Sequence, residues 1–288
     1  MKICIASGKG GTGKTTIATN LAYTAQQPVL LLDCDVEEPN AHLFLKPVIT
    51  ETEPVYKPIP QIDHTKCTFC GKCSEFCEYN ALAVLKDQVL VFSQLCHGCG
   101  GCMLVCPEQA ISEVGQEMGV VEHGYAGDVE FAHGILKVGD AMAGPVIRRV
   151  KRFSDQHPLA ILDAPPGTSC PVVITLTGCD FCLLVTEPTP FGLHDLKLAV
   201  GVARKLHIPH GVVINRADMS DQHVEAYCHE EQIPILMQIP TDLRIAQAYS
   251  RGQMLVDILP EYQEMFQNLL TRCLAEGKRH GYERTRDY

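Results

Sequence analysis

The sequence predicts an α/β protein, a doubly wound and mainly parallel sheet interrupted by a smaller α+β insertion. Three observations carry this expectation. Short apolar runs (Ile3–Ala6, Val29–Leu32, Leu159–Leu162, Val212–Ile214) alternate with segments of helical spacing, from residue 1 to about 40 and again from about 140. Unbroken apolar runs of this length suit strands covered on both faces. The first run opens directly into a glycine-rich loop. Between the two alternating regions, eight of the fifteen cysteines repeat a single spacing.

The opening is strand, loop, helix. Lys2–Ala6 alternates like a short strand, Ser7–Lys14 is rich in glycine, and Thr15–Ala25 has helical spacing with good helix formers. The loop Gly8-Lys9-Gly10-Gly11-Thr12-Gly13-Lys14-Thr15, continued by Thr16, satisfies G-x-x-x-x-G-K-[ST]. Its glycines let backbone N–H groups turn inward around a β-phosphate, and the helix N-terminus adds the positive end of its dipole. Lys14 is suited to neutralise the β- and γ-phosphates, and the Thr15 hydroxyl to ligate Mg²⁺. Two later apolar runs end in carboxylates, Asp33 with Asp35 and then Asp163. Ligands bind at the carboxyl ends of strands in open α/β sheets, so these acids are candidates for the same site.

The cysteines form two quartets, Cys67/Cys70/Cys73/Cys77 and Cys96/Cys99/Cys102/Cys106, each reading C-x2-C-x2-C-x3-C. An offset of 29 residues carries the first quartet onto the second, so the region is an internal repeat. Zinc is the competing reading, but it usually draws on separated two-cysteine knuckles. The spacing resembles that of two-cluster bacterial ferredoxins, in which the fourth cysteine of each run serves the other cluster. That resemblance implies two [4Fe-4S] clusters, one held by Cys67, Cys70, Cys73 and Cys106, the other by Cys96, Cys99, Cys102 and Cys77. Glu78 stands where the second copy has Pro107, which suggests a looser turn around the second cluster. The other cysteines, among them Cys4, Cys34, Cys179, Cys182, Cys228 and Cys273, read as small core or surface residues. His123 and His133 read as surface or core residues as well.

With Lys9, the loop KGGTGKT resembles the deviant Walker A loop of the MinD/ParA/Mrp and nitrogenase iron-protein class. Other stretches extend the likeness over essentially the whole chain. Asp33-Cys34-Asp35 followed by Pro39-Asn40 resembles the switch I element, and Asp163-Ala164-Pro165-Pro166-Gly167-Thr168 resembles the Walker B aspartate with switch II. The resemblance implies an ATP-sandwich homodimer in which Lys9 reaches the partner's nucleotide. It also implies that Asp35 orients the attacking water and serves Mg²⁺ together with Thr15 and Asp163, that Asp33 lies near the metal shell, and that Asp163 binds the metal through water. Gly167 would approach the γ-phosphate by its N–H, Asn215 with Arg216 would meet the adenine edge, and Pro240 to Asp242 would lie beside the base. Cys170 occupies a place similar to a switch II cysteine that ligates an intersubunit cluster, but no second ligand motif accompanies it, so an ordinary thiol is expected.

The implied organisation is a discontinuous P-loop ATPase domain (1–46 and 140–288) with an inserted two-cluster ferredoxin-like domain (63–113). Segments 47–62 and 114–139 are expected as a proline-punctuated linker and a glycine-rich return of short β-structure. A net charge of −10 and a pI near 5.6 argue against nucleic acid and anionic membrane as partners. The basic runs Arg148/Arg149/Lys151/Arg152 and Lys278/Arg279 with Arg284/Arg286 read as a solvated helix face and a tail. Neither a signal peptide nor a membrane span is expected, and cysteines spaced for metal suit a reducing cytoplasm. The expected function is an ATPase whose switch and dimer cycle drives electron transfer through two clusters toward an unidentified protein. Two alternatives accompany it: a cluster assembly or carrier ATPase, and a MinD- or ParA-like positioning ATPase with structural clusters.

Overall fold

The computed structural model describes residues 1–218 and 222–284. β1 (Lys2–Ala6), β2 (Val29–Asp33), β8 (Ala160–Asp163) and β10 (His210–Asn215) fall on the four predicted apolar runs; β9 (Phe181–Thr186) and β11 (Ile235–Ile239), not among those runs, join them, and all six are parallel. Three further strands extend this sheet: β3 (Val48–Ile62), β6 (Ile111–Ala126) and β7 (Val129–Leu136). The nine run in the order β11-β10-β9-β1-β8-β2-β7-β6-β3. β1 alternates its side chains between the faces, Ile3 and Ile5 into one core and Cys4 and Ala6 into the other. Helices α1 (Lys14–Tyr23), α2 (Ala41–Leu45), α10 (Leu255–Ile258) and α11 (Glu261–Arg284) supply buried side chains to the first core. The second receives α5 (Gly144–Lys151), α6 (Cys170–Leu176), α7 (Pro190–Lys205) and α8 (His223–Glu230).

The segments expected as linker and return belong to the main sheet. β7 lies parallel beside β2, placing Asp33 opposite His133, so the nucleotide-type core resumes at residue 129 and not near 140. β6 then folds back antiparallel to β7 through Gly127-Asp128, a two-residue hairpin turn with φ +59° at the glycine. β3 pairs antiparallel with β6 over almost its whole length and forms the edge of the sheet. Pro54, Pro58 and Pro60 argue against a central strand, since proline cannot donate to a ladder. They are tolerated because β3 has a partner on one side only.

β7 pairs with β6 only from Gly119 to Ala126, whereas β3 pairs with β6 down to Ile62 opposite Ile111. Half of the β3–β6 ribbon therefore overhangs the sheet, carrying the cysteine repeat at its tip. That repeat holds α3 (Lys72–Phe76), the hairpin β4 (Leu82–Val84) and β5 (Val89–Val91), and α4 (Gly101–Leu104). Lys57 on β3 is buried and ion-paired with Asp140 at 2.6 Å, which ties the ribbon to the body of the protein.

The two expected histidines are structural. His133 is buried and its Nε2 meets Glu122 at 2.8 Å, while His123 meets Glu130 at 2.9 Å. The basic run on α5 is more than a solvated face. Lys151 Nζ donates to the carbonyls of Ile174, Thr175 and Thr177, closing the negative end of α6, and Arg149 pairs with Glu53. Of the second basic run, Arg286 lies outside the described residues. No described helix is long and apolar enough to cross a membrane.

Phe131 on β7 is fully buried in the first core. Phe131→Ala is expected to destabilise the fold by about 3–5 kcal/mol, read by chemical denaturation. A loss under 1 kcal/mol would contradict the placement of β7 inside the sheet.

Candidate nucleotide site and cysteine pockets

The loop 7–13 joins β1 to α1 at the carboxyl edge of the sheet. Gly13 takes φ +98°, and a Cβ there would lie 2.7 Å from Asn215 Nδ2. A Cβ on Gly8 would lie 2.2 Å from the Asp195 carbonyl oxygen, so the loop presses directly onto α7. Ser7 Oγ donates to the Lys9 carbonyl at 2.5 Å and fixes the turn. Gly10, Gly11, Thr12 and Thr16 complete the stretch, with Thr12 buried and its hydroxyl without a partner.

Asp33 and Asp163 are paired in register at the ends of β2 and β8. Asp163 is 1% exposed; Thr15 Oγ1 donates to its Oδ2 at 2.6 Å, while Oδ1 is buried without a partner. Lys14 is 8% exposed and feels the charges of Asp163, Asp35 and Asp33. Burial lowers its pKa, opposed by those carboxylates. Burial and then Asp33 push Asp163 well above the usual carboxylate range. Asp35 is pushed up to about 6, by burial and then by Asp33. Asp35 and Asp163 beside Lys14, together with the Thr15 hydroxyl and with one buried Asp163 oxygen unpartnered, form a donor set that fits Mg²⁺.

Asp33 is not aimed at a metal. Its Oδ1 accepts the Asp35 N–H at 3.1 Å, and its Oδ2 accepts those of Asn40 at 2.9 Å and Ala41 at 3.0 Å. It therefore fastens the switch-like segment 34–40 and the start of α2 to the end of β2. Gly167 gives its N–H to the Ser7 carbonyl at 3.0 Å. Asn215 Nδ2 donates to the Thr12 carbonyl at 2.8 Å and its Oδ1 accepts from Arg216 N–H, so this amide braces the phosphate loop. The Asp242 side chain caps α9 (Leu243–Ser250) by accepting from Arg244 N–H at 2.7 Å, just after Pro240. Lys9 pairs with Glu187, which also takes Arg216. Glu187 belongs to no sequence motif, although it follows the apolar strand β9 just as Asp33 and Asp163 close theirs.

The raised value of Asp35 sets a pH dependence. A carboxyl whose folded pKa of about 6 exceeds its ordinary 3.8 contributes stability that is full below the latter and lost as pH rises through the former. Nucleotide-free, chelator-treated protein should therefore lose thermal stability between pH 5 and pH 7 through this group, with Asp163 adding in the same sense. Tm measured at both pH values should differ less in Asp35→Asn than in the parent; an identical difference would contradict the assignment.

The cysteine repeat is symmetrical in geometry. Phe69, Gly71 and Asn80 have positive φ, matched 29 residues on by Gly98, Gly100 and Gln109. Ala81 N–H reaches Cys77 Sγ at 3.3 Å, and Ala110 N–H reaches Cys106 Sγ at 3.3 Å. The turn after Cys77 is therefore closed by the same N–H to Sγ contact as its proline-bearing counterpart. One cavity is lined by Cys67, Cys70, Cys73 and Cys106, a second by Cys77, Cys96, Cys99 and Cys102. Among the described residues, no three His, Cys, Asp or Glu side chains are arranged around a single metal ion. All fifteen thiols are free, and Cys4, Cys34, Cys179, Cys182, Cys228 and Cys273 are buried. Cys170 is exposed at the start of α6.

A glycine loop closing on a helix, with acids converging from neighbouring strands, defines a P-loop nucleotide-binding protein. Comparison narrows the class. The chain matches the CobQ/CobB/MinD/ParA nucleotide binding domain over residues 3–256 and belongs to that family. An uncharacterized protein of Methanocaldococcus jannaschii is 30% identical over 267 residues, covering 88% of this chain and 90% of its own. The iron-sulfur cluster carrier protein of Pyrococcus abyssi is 26% identical, with 87% and 77% covered. Among solved structures, the septum site-determining protein MinD of Pyrococcus horikoshii, complexed with Mg-ADP, superposes with a TM-score of 0.56 at 19% identity, covering 93% of both chains. That likeness shows the mainly parallel P-loop ATPase fold.

Proposed function

We propose that this protein is an ATPase that couples ATP binding and hydrolysis to electron transfer through two [4Fe-4S] clusters toward a protein partner. One observation carries the reading. Each of two cavities gathers three thiols from one copy of the repeat and the fourth from the other, at the tip of a ribbon beginning just after α2, the helix that Asp33 fastens. The four-thiol donor sets and the N–H groups facing Cys77 and Cys106 suit cubanes, which would supply one-electron carriers when bound.

At the nucleotide end, Thr15 and Asp163, whose second oxygen has no partner, would hold Mg²⁺, which would offset phosphate charge, while Lys14 would neutralise the phosphates and Asp35 would orient the attacking water. The contact of Gly167 with Ser7 is the one a γ-phosphate competes for, which makes switch II responsive to it. Asn215, Arg216 and the stretch from Pro240 to Asp242 meet the adenine. Association of two chains brings Lys9 to the nucleotide of the other, and the protein works in a reducing cytoplasm.

Anaerobically prepared protein should contain about eight irons per chain with sulfide and a cubane EPR spectrum. Its cluster potential or reoxidation rate should change on adding ATP. Zinc in place of iron, or redox behaviour indifferent to ATP, would sink the reading. A second reading is favoured by relatives that are named iron-sulfur cluster carrier proteins. In that case the clusters are cargo, and ATP-dependent transfer to an apo-acceptor should outpace any change in potential.

A further inference from the structure

We propose that Glu187 is a latch that withholds Lys9 from the partner chain, with Arg216 as the counter-ion that lets the latch open. The proposal rests on the reading that Lys9 acts across a dimer. Glu187 stands just beyond β9 with its side chain 11% exposed, and its two oxygens are divided between two cations. Oε1 takes the Lys9 ammonium, and Oε2 takes the Arg216 guanidinium at 3.0 Å.

A phosphate on another chain would compete with Glu187 for the Lys9 ammonium. Its backbone is pinned by the bond from Ser7 Oγ, so only the side chain can change partner. Lysine carries its charge on a flexible stem, so reaching a phosphate of another chain means swinging the ammonium away from Glu187. A buried carboxylate stripped of all its partners would oppose release strongly. Here a second cation, the half-exposed Arg216, is already paired with the other oxygen. Arg216 is itself set by φ +56° and by its N–H bond to Asn215, the residue that braces the phosphate loop. One carboxylate thus links the loop to the end of β10.

Two substitutions should act in opposite directions. Glu187→Gln keeps the volume and a hydrogen-bond acceptor but removes the charge, freeing Lys9; ATP-dependent association should strengthen about fivefold to tenfold. Arg216→Ala leaves Lys9 as the sole cation on Glu187 and should weaken association. In a Lys9→Ala background, Glu187→Gln should have no further effect.

The test has a nucleotide-free arm and a nucleotide arm. In the first, intact protein without nucleotide is pulsed with acetic anhydride, and Lys9 modification is compared by mass spectrometry with that of the exposed Lys86. Lys9 should react about threefold faster or more in Glu187→Gln, as a freed amine does when it loses a charge-assisted bond. In the second arm, ATP binding and sedimentation are measured for all variants. Faster labelling together with stronger association supports the latch. Unchanged labelling overturns it whatever ATP does, and faster labelling with unchanged association in a chain that dimerises overturns its control of assembly. A parent chain that binds ATP but stays monomeric overturns the dimer reading and the latch with it, recognisable because labelling has been scored independently.

Discussion

Lys14→Met should lower ATP turnover by about 10²–10³-fold or more, because it removes a buried cation placed where phosphate charge would develop. The substitution keeps most of the buried stem, so packing is retained. Burial lowers the pKa of Lys14 despite three nearby carboxylates, which means its charged form is disfavoured in the folded chain. Dropping that charge should therefore leave the fold intact, and circular dichroism and Tm should stay close to those of the parent. Phosphate release at saturating ATP is the measurement. A variant that keeps more than about a tenth of the parental rate would contradict the placement of Lys14 at the reacting phosphates.

The second large effect concerns crossing of the cysteine quartets. Cys106→Ser should cost about four of about eight irons per chain. The informative comparison is which signal disappears. Cys106 lines the cavity of Cys67, Cys70 and Cys73, so Cys106→Ser should lose the same EPR component as Cys67→Ser, and Cys77→Ser the same one as Cys96→Ser. Should Cys106→Ser instead match Cys96→Ser, each quartet would serve its own cluster and the crossed arrangement would be wrong.

β1, β2, β8 and β10 were legible because each is an apolar run leading into a candidate site residue; β9 and β11 are apolar too but lie outside the four predicted runs. β3, β6 and β7 were not legible, for reasons visible in their composition. The three prolines of β3 look like punctuation until the strand is known to lie on an edge, where missing donors face outward. In β6 and β7, glycines and histidines obscure the alternation, and the Gly127-Asp128 turn is the one local signal of the hairpin. The phosphate loop followed from its spacing and Asp163 from its place at the end of an apolar run, whereas the crossed grouping of the thiols came from the resemblance to two-cluster ferredoxins. The task of Asp33 followed from none of these, because accepting three backbone N–H groups is a property of how the chain returns, which no spacing encodes. Asn215 and Glu187 were obscured likewise, since their partners Thr12 and Lys9 lie about two hundred residues away in sequence.

Ile62 and Ile111 face each other, and Asp63 N–H donates to the Ala110 carbonyl at 2.8 Å, so the two chain crossings into the cysteine repeat lie side by side. Residues 63–110 form a cartridge on a two-pronged socket. Replacing them with Asn-Gly would close the prongs as an ordinary hairpin and leave the nine-stranded sheet uninterrupted. The same socket would accept any small domain whose ends meet at one strand spacing, about 4.8 Å. Interchange of payload at that point, with the engine untouched, is an evolutionary and an engineering route that this topology leaves open.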